Sequence, residues 1–392
     1  MLGRAVRLIA TLMLSVIVVA AVTWTVMAIW IDGPQSRVLA APMAAGLAVV
    51  SVTLAASVRP LLRGLTVALF PVIVVALWWT SIPPSNTRDW TPDVARISRA
   101  TFHGSRVTIE NVRNFNYRSE ADYDQRWETW TYNLDRTKGV DLFLSFWGPT
   151  EIAHTIVSWD FDDGQHLAIS IEARKQKGES YSAIRGFFRQ YELYYVVAVE
   201  RDLVGLRTNY RNEQVYLYRL RVPAADARAL LIDYLEEVNR LADHPEWYNS
   251  LTQNCTTTIR GHVQNVGTAG RLDWRMLANG HLDELLYERD QIDTSLPLAD
   301  LRARNNITEK AKAADDSPDF SARIRQGLPE THERRARSRG ALSMPASGTL
   351  GMLRRHAARQ VSICSAPSSL SRQHLGREGQ GLVQRRQLPE SS

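Results

Sequence analysis

Three long apolar runs open the chain, and the pattern then breaks into short alternating segments. Val6 to Ile31, Val38 to Ser57 and Leu65 to Ile82 are almost wholly apolar. A helix needs about 20 apolar residues to cross the hydrocarbon core of a bilayer. Three transmembrane helices are therefore predicted over residues 1–82. The first run is too long for the apolar part of a cleaved leader, and two further runs follow it. Arg4 and Arg7 precede the first span, and Arg59 and Arg63 lie between the second and third. Positive residues stay on the cytoplasmic side. The N-terminus is thus expected in the cytoplasm, and everything after Pro83 on the far side of a bacterial inner membrane. Trp78 and Trp79 suit the interfacial belt at the outer end of the third span.

After a short linker, Ser81–Asn86, the polar-apolar pattern is mostly that of strands. Val107–Val112, Trp127–Leu134, Val140–Trp147, Ile152–Phe161, His166–Ala173, Tyr194–Val199 and Val215–Val222 are the candidates. Helices are expected at Tyr181–Leu193, Ala224–Ala242, from Asn254 to about Val266, and at His281–Arg289. In the second of these, Ala227, Leu230, Leu231, Tyr234, Val238 and Leu241 share one face. The class expected for residues 83–330 is α+β, an antiparallel sheet with helices gathered mainly after it. Residues 331–392 are rich in Ser, Arg, Gly, Pro and Gln without apolar periodicity, and read as a disordered basic tail.

Charge changes the picture once it is divided. From Thr331 onward there are eleven Arg, no Lys and three Glu, a balance of +8, whereas the whole chain carries +6. The basic character belongs to the tail, so it does not point to a nucleic-acid partner for the domain. Of the two cysteines, Cys255 and Cys364, one falls in the domain and one in the tail. A lone cysteine is either a buried small apolar residue or a reactive thiol. No His-Glu-x-x-His motif, paired-cysteine motif or glycine-rich phosphate loop is present, so neither a metal nor a cofactor is expected.

Cys255 lies in Leu251-Thr-Gln-Asn-Cys-Thr-Thr-Thr-Ile259. Thr252 and Asn254 are both good helix caps, which puts Cys255 in a first helical turn where the dipole favours a thiolate. The bland alternative is that Cys255 belongs to the apolar stripe Cys255, Ile259, Val263 and Val266. His154 lies on the more polar, even-numbered side of its strand, with Ser158 and Asp160. In the next strand His166, Ala168, Ser170 and Glu172 are the even positions. Two strands sharing a core must keep parity. A three-residue loop, Asp162-Asp163-Gly164, does so and puts the glycine where a left-handed residue is needed. Glu172 then lies opposite His154, while His166 pairs with Asp160. A thiol, an imidazole and a carboxylate make a nucleophilic triad in which Glu172 ranks first as third member and His166 second. The backbone amide at Cys255 and the Asn254 side chain are candidates for holding an oxyanion. The aromatic clusters Trp127–Trp130 and Tyr191–Tyr195 read as core.

Several separate motifs carry a resemblance. They are Ser85-Asn-Thr-Arg-Asp-Trp90, Asn111-Val-Arg-Asn-Phe115, Asp141-Leu-Phe-Leu-Ser-Phe-Trp147, Ala153-His-Thr155, Ser170-Ile-Glu-Ala-Arg174 and Trp247-Tyr-Asn-Ser-Leu-Thr-Gln-Asn-Cys-Thr-Thr257. Together, over roughly residues 80–328, the chain resembles the Lnb N-terminal periplasmic domain family. The resemblance implies a papain-like fold similar to permuted NlpC-type proteins, in which a histidine strand precedes a cysteine helix; His154 followed by Asn254-Cys255 matches that order. It also implies an acyltransferase that passes a fatty acyl group from phospholipid to a lipoprotein amine through a thioester. The expected function is a membrane-anchored periplasmic cysteine acyltransferase or acyl hydrolase. Its rivals are a cysteine amidase or peptidase acting on cell-wall peptide, and a non-catalytic envelope scaffold.

Overall fold

The computed structural model describes residues 2–267 and 270–329; the expected basic tail, 331–392, lies outside them. The apolar runs form α1 (Leu2–Asp32), α2 (Arg37–Ser57) and a third span made of α3 (Leu61–Val67) and α4 (Leu69–Thr80). All three are long and apolar enough to cross a membrane. The third starts earlier than predicted and is interrupted at Ala68. The cause is Pro71, which has no N–H for the Val67 carbonyl and crowds it. At the outer end, the Trp79 indole N–H donates to Asp32 Oδ2 over 2.7 Å, and its ring meets Trp24 edge-on at 5.3 Å.

The linker after α4 is anchored to the domain. Asn86 donates to the carbonyls of Leu241 and Ala242, Arg88 pairs with the buried Glu192 at 2.9 Å, and the Arg174 guanidinium lies over Trp90 at 4.2 Å. The domain therefore starts against the membrane helices.

The strands are β1 (Arg99–His103), β2 (Arg106–Arg113), β3 (Asn116–Tyr117), β4 (Tyr123–Asp124), β5 (Trp127–Asn133), β6 (Thr137–Phe146), β7 (His154–Phe161), β8 (His166–Arg174), β9 (Glu192–Ala198) and β10 (Gln214–Arg219). The main sheet runs β1-β2-β9-β8-β7-β6-β10, with β5 also on β2; β3 and β4 make a small separate ribbon. Pairing is antiparallel throughout the main sheet except for one parallel contact, Arg113 beside Ala198, between β2 and β9. The helices are α5 (Glu200–Gly205), which runs into a π-turn over Leu206–Tyr210, then α6 (Ala224–Asp243), α7 (Cys255–Asn265), α8 (Leu282–Glu288), α9 (Leu298–Asn305), α10 (Thr308–Ala314) and α11 (Phe320–Ile324). The fold is α+β, as the alternating pattern implies.

Odd positions of β7 and β8, among them Val157, Trp159, Leu167 and Ile169, pack against α6 and the apolar stripe of α7. The Trp159 indole also donates to the Ala227 carbonyl on α6 over 2.9 Å. The even positions differ from expectation. Ile156, Ala168, Tyr194 and Val196 form a second core with α5, α10 and α11. The more polar side of the hairpin is therefore buried, and its polar atoms are paired: Ser158 donates to Glu200 over 2.6 Å.

One predicted helix is absent. Tyr181–Leu193 holds only a 3-10 turn, Arg185–Phe187, before β9 begins at Glu192. The aromatic run Tyr191–Tyr195 supplies a strand buried on both faces, with Glu192–Ala198 paired along β8. Burial of that run between two cores outweighs helical periodicity.

Candidate functional site

Asn254 decides where α7 begins. Its side-chain oxygen accepts the Thr257 N–H, the Thr257 hydroxyl accepts the Asn254 N–H, both at 3.0 Å, and its amide donates to the Ser250 carbonyl over 2.8 Å. This reciprocal cap fixes Cys255 as the first helical residue. It also commits both ends of the Asn254 amide to backbone. Thr252 lies in the exposed turn before the helix.

His154 is the first residue of β7. The hairpin register pairs Ile156 with Ser170 and Asp160 with His166, around a loop in which Gly164 has φ +82°. This is the register that parity demands. It brings Glu172 Oε1 to 3.1 Å from His154 Nε2, with the Ser170 hydroxyl 2.7 Å from the same nitrogen. Ser170 in turn donates to Glu172 Oε1 over 2.7 Å. The Cys255 thiol lines the same cavity as the His154 ring and lies close enough to that ring and to the Thr155 N–H for both to bear on its ionisation. With Nε2 taken by Ser170 and Glu172, Nδ1 is the nitrogen left for the sulfur.

Four residues of the arrangement escaped sequence reasoning. Ser170 was placed on the right face but given no role. Arg207, buried in the π-turn, donates to Glu172 Oε1 over 2.9 Å and to Glu213 Oε2 over 3.1 Å. Asn279 bridges the two halves of the site: its oxygen accepts the Ala153 N–H at 2.9 Å, while its amide donates to the Ala153 carbonyl at 2.6 Å and to Thr256 Oγ1 at 2.7 Å. It ties the residue before His154 to the residue after Cys255. Gly280 lets it approach, since a Cβ there would lie 1.8 Å from the Thr150 oxygen. The dipeptide Asn279-Gly280 signals only a turn in sequence.

His166 is elsewhere. Its Nε2 is 3.4 Å from Asp160 Oδ1 and its Nδ1 contacts the Gly164 carbonyl, at the far end of the hairpin. The structure brings Cys255, His154 and Glu172 together and leaves His166 out.

Electrostatics couple the three. Burial and the Arg207 charge push the His154 imidazole down, but Glu172 and the thiol hydrogen bond prevail and raise it to about 9. Burial alone would raise the Cys255 thiol; the hydrogen bond and charge of His154, with the Thr155 N–H and the Thr256 hydroxyl, bring it below its ordinary value. Burial also opposes ionisation of Glu172, yet His154, Arg207 and Ser170 hold it well below the usual carboxylate range. The two shifts favour a thiolate-imidazolium pair flanked by a carboxylate, and the thiolate is the nucleophilic form of cysteine. The three side chains line an open cavity of about 580 Å³ whose walls include Trp147, Ile152, Phe187, Tyr248 and Leu277.

Spans, fold and position together define a membrane-anchored protein with a periplasmic domain. The family model of the Lnb N-terminal periplasmic domain matches residues 123–280. The match is narrower than the resemblance over residues 80–328. It includes His154, Glu172, Asn254, Cys255 and Asn279. No curated protein and no solved structure matches the chain.

Proposed function

We propose that this protein is a cysteine acyltransferase or acyl hydrolase anchored in the bacterial inner membrane, N-terminus inside, with Cys255 as nucleophile, His154 as base and Glu172 as its orienting carboxylate. The Cys255 thiolate attacks the carbonyl of a phospholipid acyl ester, forming a C–S bond. As the C–O bond breaks, the leaving alkoxide takes the proton held by His154. Lysophospholipid departs and a thioester remains. An incoming amine, or water, then loses its proton to His154 and attacks the thioester, and the thiolate is released. The Cys255 N–H, in the first turn of α7, is directed at charge developing on the carbonyl oxygen. Glu172 and Ser170 hold the ring so that Nδ1 faces the sulfur.

The observation that carries this reading is that Cys255 and His154 line one cavity and are electrostatically coupled there, with Glu172 3.1 Å from His154 Nε2. The anchored linker favours a membrane substrate over cell-wall peptide, because it keeps the cavity close to the bilayer.

The test uses the full chain in phospholipid nanodiscs and intact mass. An added acyl mass that hydroxylamine removes, and that Cys255→Ser lacks, is expected. Cleavage of wall peptide without any adduct supports the amidase instead. Neither activity, with Cys255→Ser indistinguishable in cells, leaves a scaffold.

A further inference from the structure

The site's rim carries large apolar side chains that nothing in the domain covers. Tyr181 and Phe187 line the cavity and are 50% and 42% exposed; their neighbours Ile184 and Leu251 are 59% and 56% exposed. Single exposed apolar residues are ordinary, but a contiguous patch beside a cavity marks a contact surface. These four residues lie on two loops that are hydrogen-bonded to one another. Ser250 donates its N–H to the Gly186 carbonyl and its hydroxyl to the Ala183 carbonyl, both at 2.9 Å, joining the loop before Cys255 to the loop at 181–187.

The same loop identifies what lies against it. Two residues beyond Phe187 and Phe188, the chain grips the outer end of the first span. The Arg189 N–H donates to Asp32 Oδ2 over 3.2 Å, and the Gln190 amide donates to Asp32 Oδ1 over 2.6 Å and to the Ile31 carbonyl over 3.2 Å. The Arg189 guanidinium lies 4.1 Å over the Trp79 ring at the end of the third span. Phe187 is thus within ~7 Å of chain from a residue bound to the spans. The polar layer on each side of a bilayer is itself only about 5–8 Å thick. An aromatic-rich, arginine-flanked loop at that level matches the composition of the membrane interface.

We propose that the 181–187 and 250–251 loops dip into the outer leaflet, so that the Cys255 cavity opens at the boundary between headgroups and acyl chains. The occupant of the apolar rim is lipid. Docking itself does not require the acyl-transfer reading; its consequence, that an ester enters sideways from the leaflet without leaving for water, rests on it.

The full chain with Cys255→Ser and Cys364→Ser, in nanodiscs containing 5-doxyl phosphatidylcholine, gives the test. Bimane is attached at Phe187→Cys, at Leu251→Cys and, as control, at Lys138→Cys. Lys138 is 57% exposed at the other end of the β6–β7 pairing, about 20 Å along the strands from His154. Doxyl lipid should quench positions 187 and 251 at least twofold more than 138. Equal quenching overturns the proposal. So does protection of 187 and 251 from aqueous iodide without doxyl quenching, which would mean a protein partner or second copy covers them. In the Cys255-containing chain, Ile184→Asp should slow acylation from bilayer phospholipid about tenfold and leave iodoacetamide alkylation of Cys255 unchanged. Doxyl quenching with no acyl adduct in the unsubstituted chain would sink acyl transfer while docking stands.

Discussion

Two histidines, His154 beside the start of α7 and His262 within it, both hold a carboxylate, and only the first also lines the cavity of Cys255. His154 has Glu172 at 3.1 Å; His262, two turns along the helix from Cys255, has Asp233 Oδ2 at 2.6 Å on Nδ1. The difference lies in the other ring nitrogen. His262 Nε2 is taken by the Tyr195 hydroxyl at 2.6 Å, and its ring stacks on Tyr234 at 3.8 Å between centroids. His154 instead meets a thiol and lines the cavity. Their charges follow. The thiol and Glu172 raise His154 to about 9, whereas burial lowers His262 despite Asp233. A histidine-carboxylate pair is therefore not a site in itself. His262 docks α7 onto α6 and β9; His154 keeps a nitrogen for an attacking group.

The largest separation between the two comes from His154→Ala. Cys255 titrates below its ordinary value, so its reactivity is present above that depressed pKa and fades as pH falls through it. At the upper end the ion pair dissolves as His154 loses its proton near 9. Without the imidazole, an ordinary thiol with pKa about 8.5 is only ~1% ionised at pH 6.5. Iodoacetamide alkylation of Cys255 at that pH should fall relative to the unsubstituted protein, with ~100-fold as the upper bound set by that ionised fraction, and the profile should be displaced to higher pH. Acyl-adduct formation should fall at least ~10³-fold, since the variant loses the general base as well. An unshifted alkylation profile would show that His154 does not control the sulfur.

Asn279→Ala should act more weakly, and through position alone. The variant leaves a buried Ala153 N–H and carbonyl unpaired and unties Thr256 from the start of β7. Each unsatisfied buried group costs about 1–3 kcal/mol. Thermal melting should therefore fall by several degrees. Alkylation of Cys255 at pH 6.5 should fall about tenfold as sulfur and ring separate, with part of the loss restored in Asn279→Asp, which keeps one acceptor. Lower stability with unchanged alkylation would make Asn279 a fold residue only.

The legible and illegible parts of the molecule differ in a physical way. The β7–β8 register follows from parity and one glycine, because side chains alternate strictly along a strand and the loop is local. Asn254 as cap is equally local. Arg207 and Asn279 are not, since each acts on a partner distant in sequence: Arg207 on Glu172 and Asn279 on Ala153. The buried even face was hidden for the same reason. Glu200 and Asp202 place two acids in α5, a helix the pattern did not predict, yet both are buried. Glu200 meets Arg325, and Asp202 meets Arg113 at 2.7 Å. Charges neutralised by distant arginines look, in sequence, like charges facing water. The missing helix at 181–193 is a related error, where burial of an aromatic strand between two cores overrode a local pattern.

The smallest effect on reactivity should come from His262→Phe, and it completes the contrast. The ring is replaced by one of similar shape that bonds to neither Asp233 nor Tyr195. Leaving those groups unpaired should cost about 2–4 kcal/mol. The alkylation profile of Cys255 should change less than twofold, because His262 touches neither the sulfur nor the cavity. The pH dependence of stability gives a second readout. Burial lowers the folded pKa of His262 below the unfolded value of about 6.5. Above that value both states are neutral and the full stability is present. As pH falls below it the unfolded chain binds a proton first, so stability declines until the folded ring is protonated too. His154 and Glu192, raised to about 9 and about 7, titrate over the same range with the opposite sign, so the decline should appear as the difference in thermal melts between the full chain and His262→Phe from pH 8 to pH 5. A variant that keeps the slope, or that moves the alkylation profile, would mean that the two histidines are coupled through α7 and not divided between docking and chemistry.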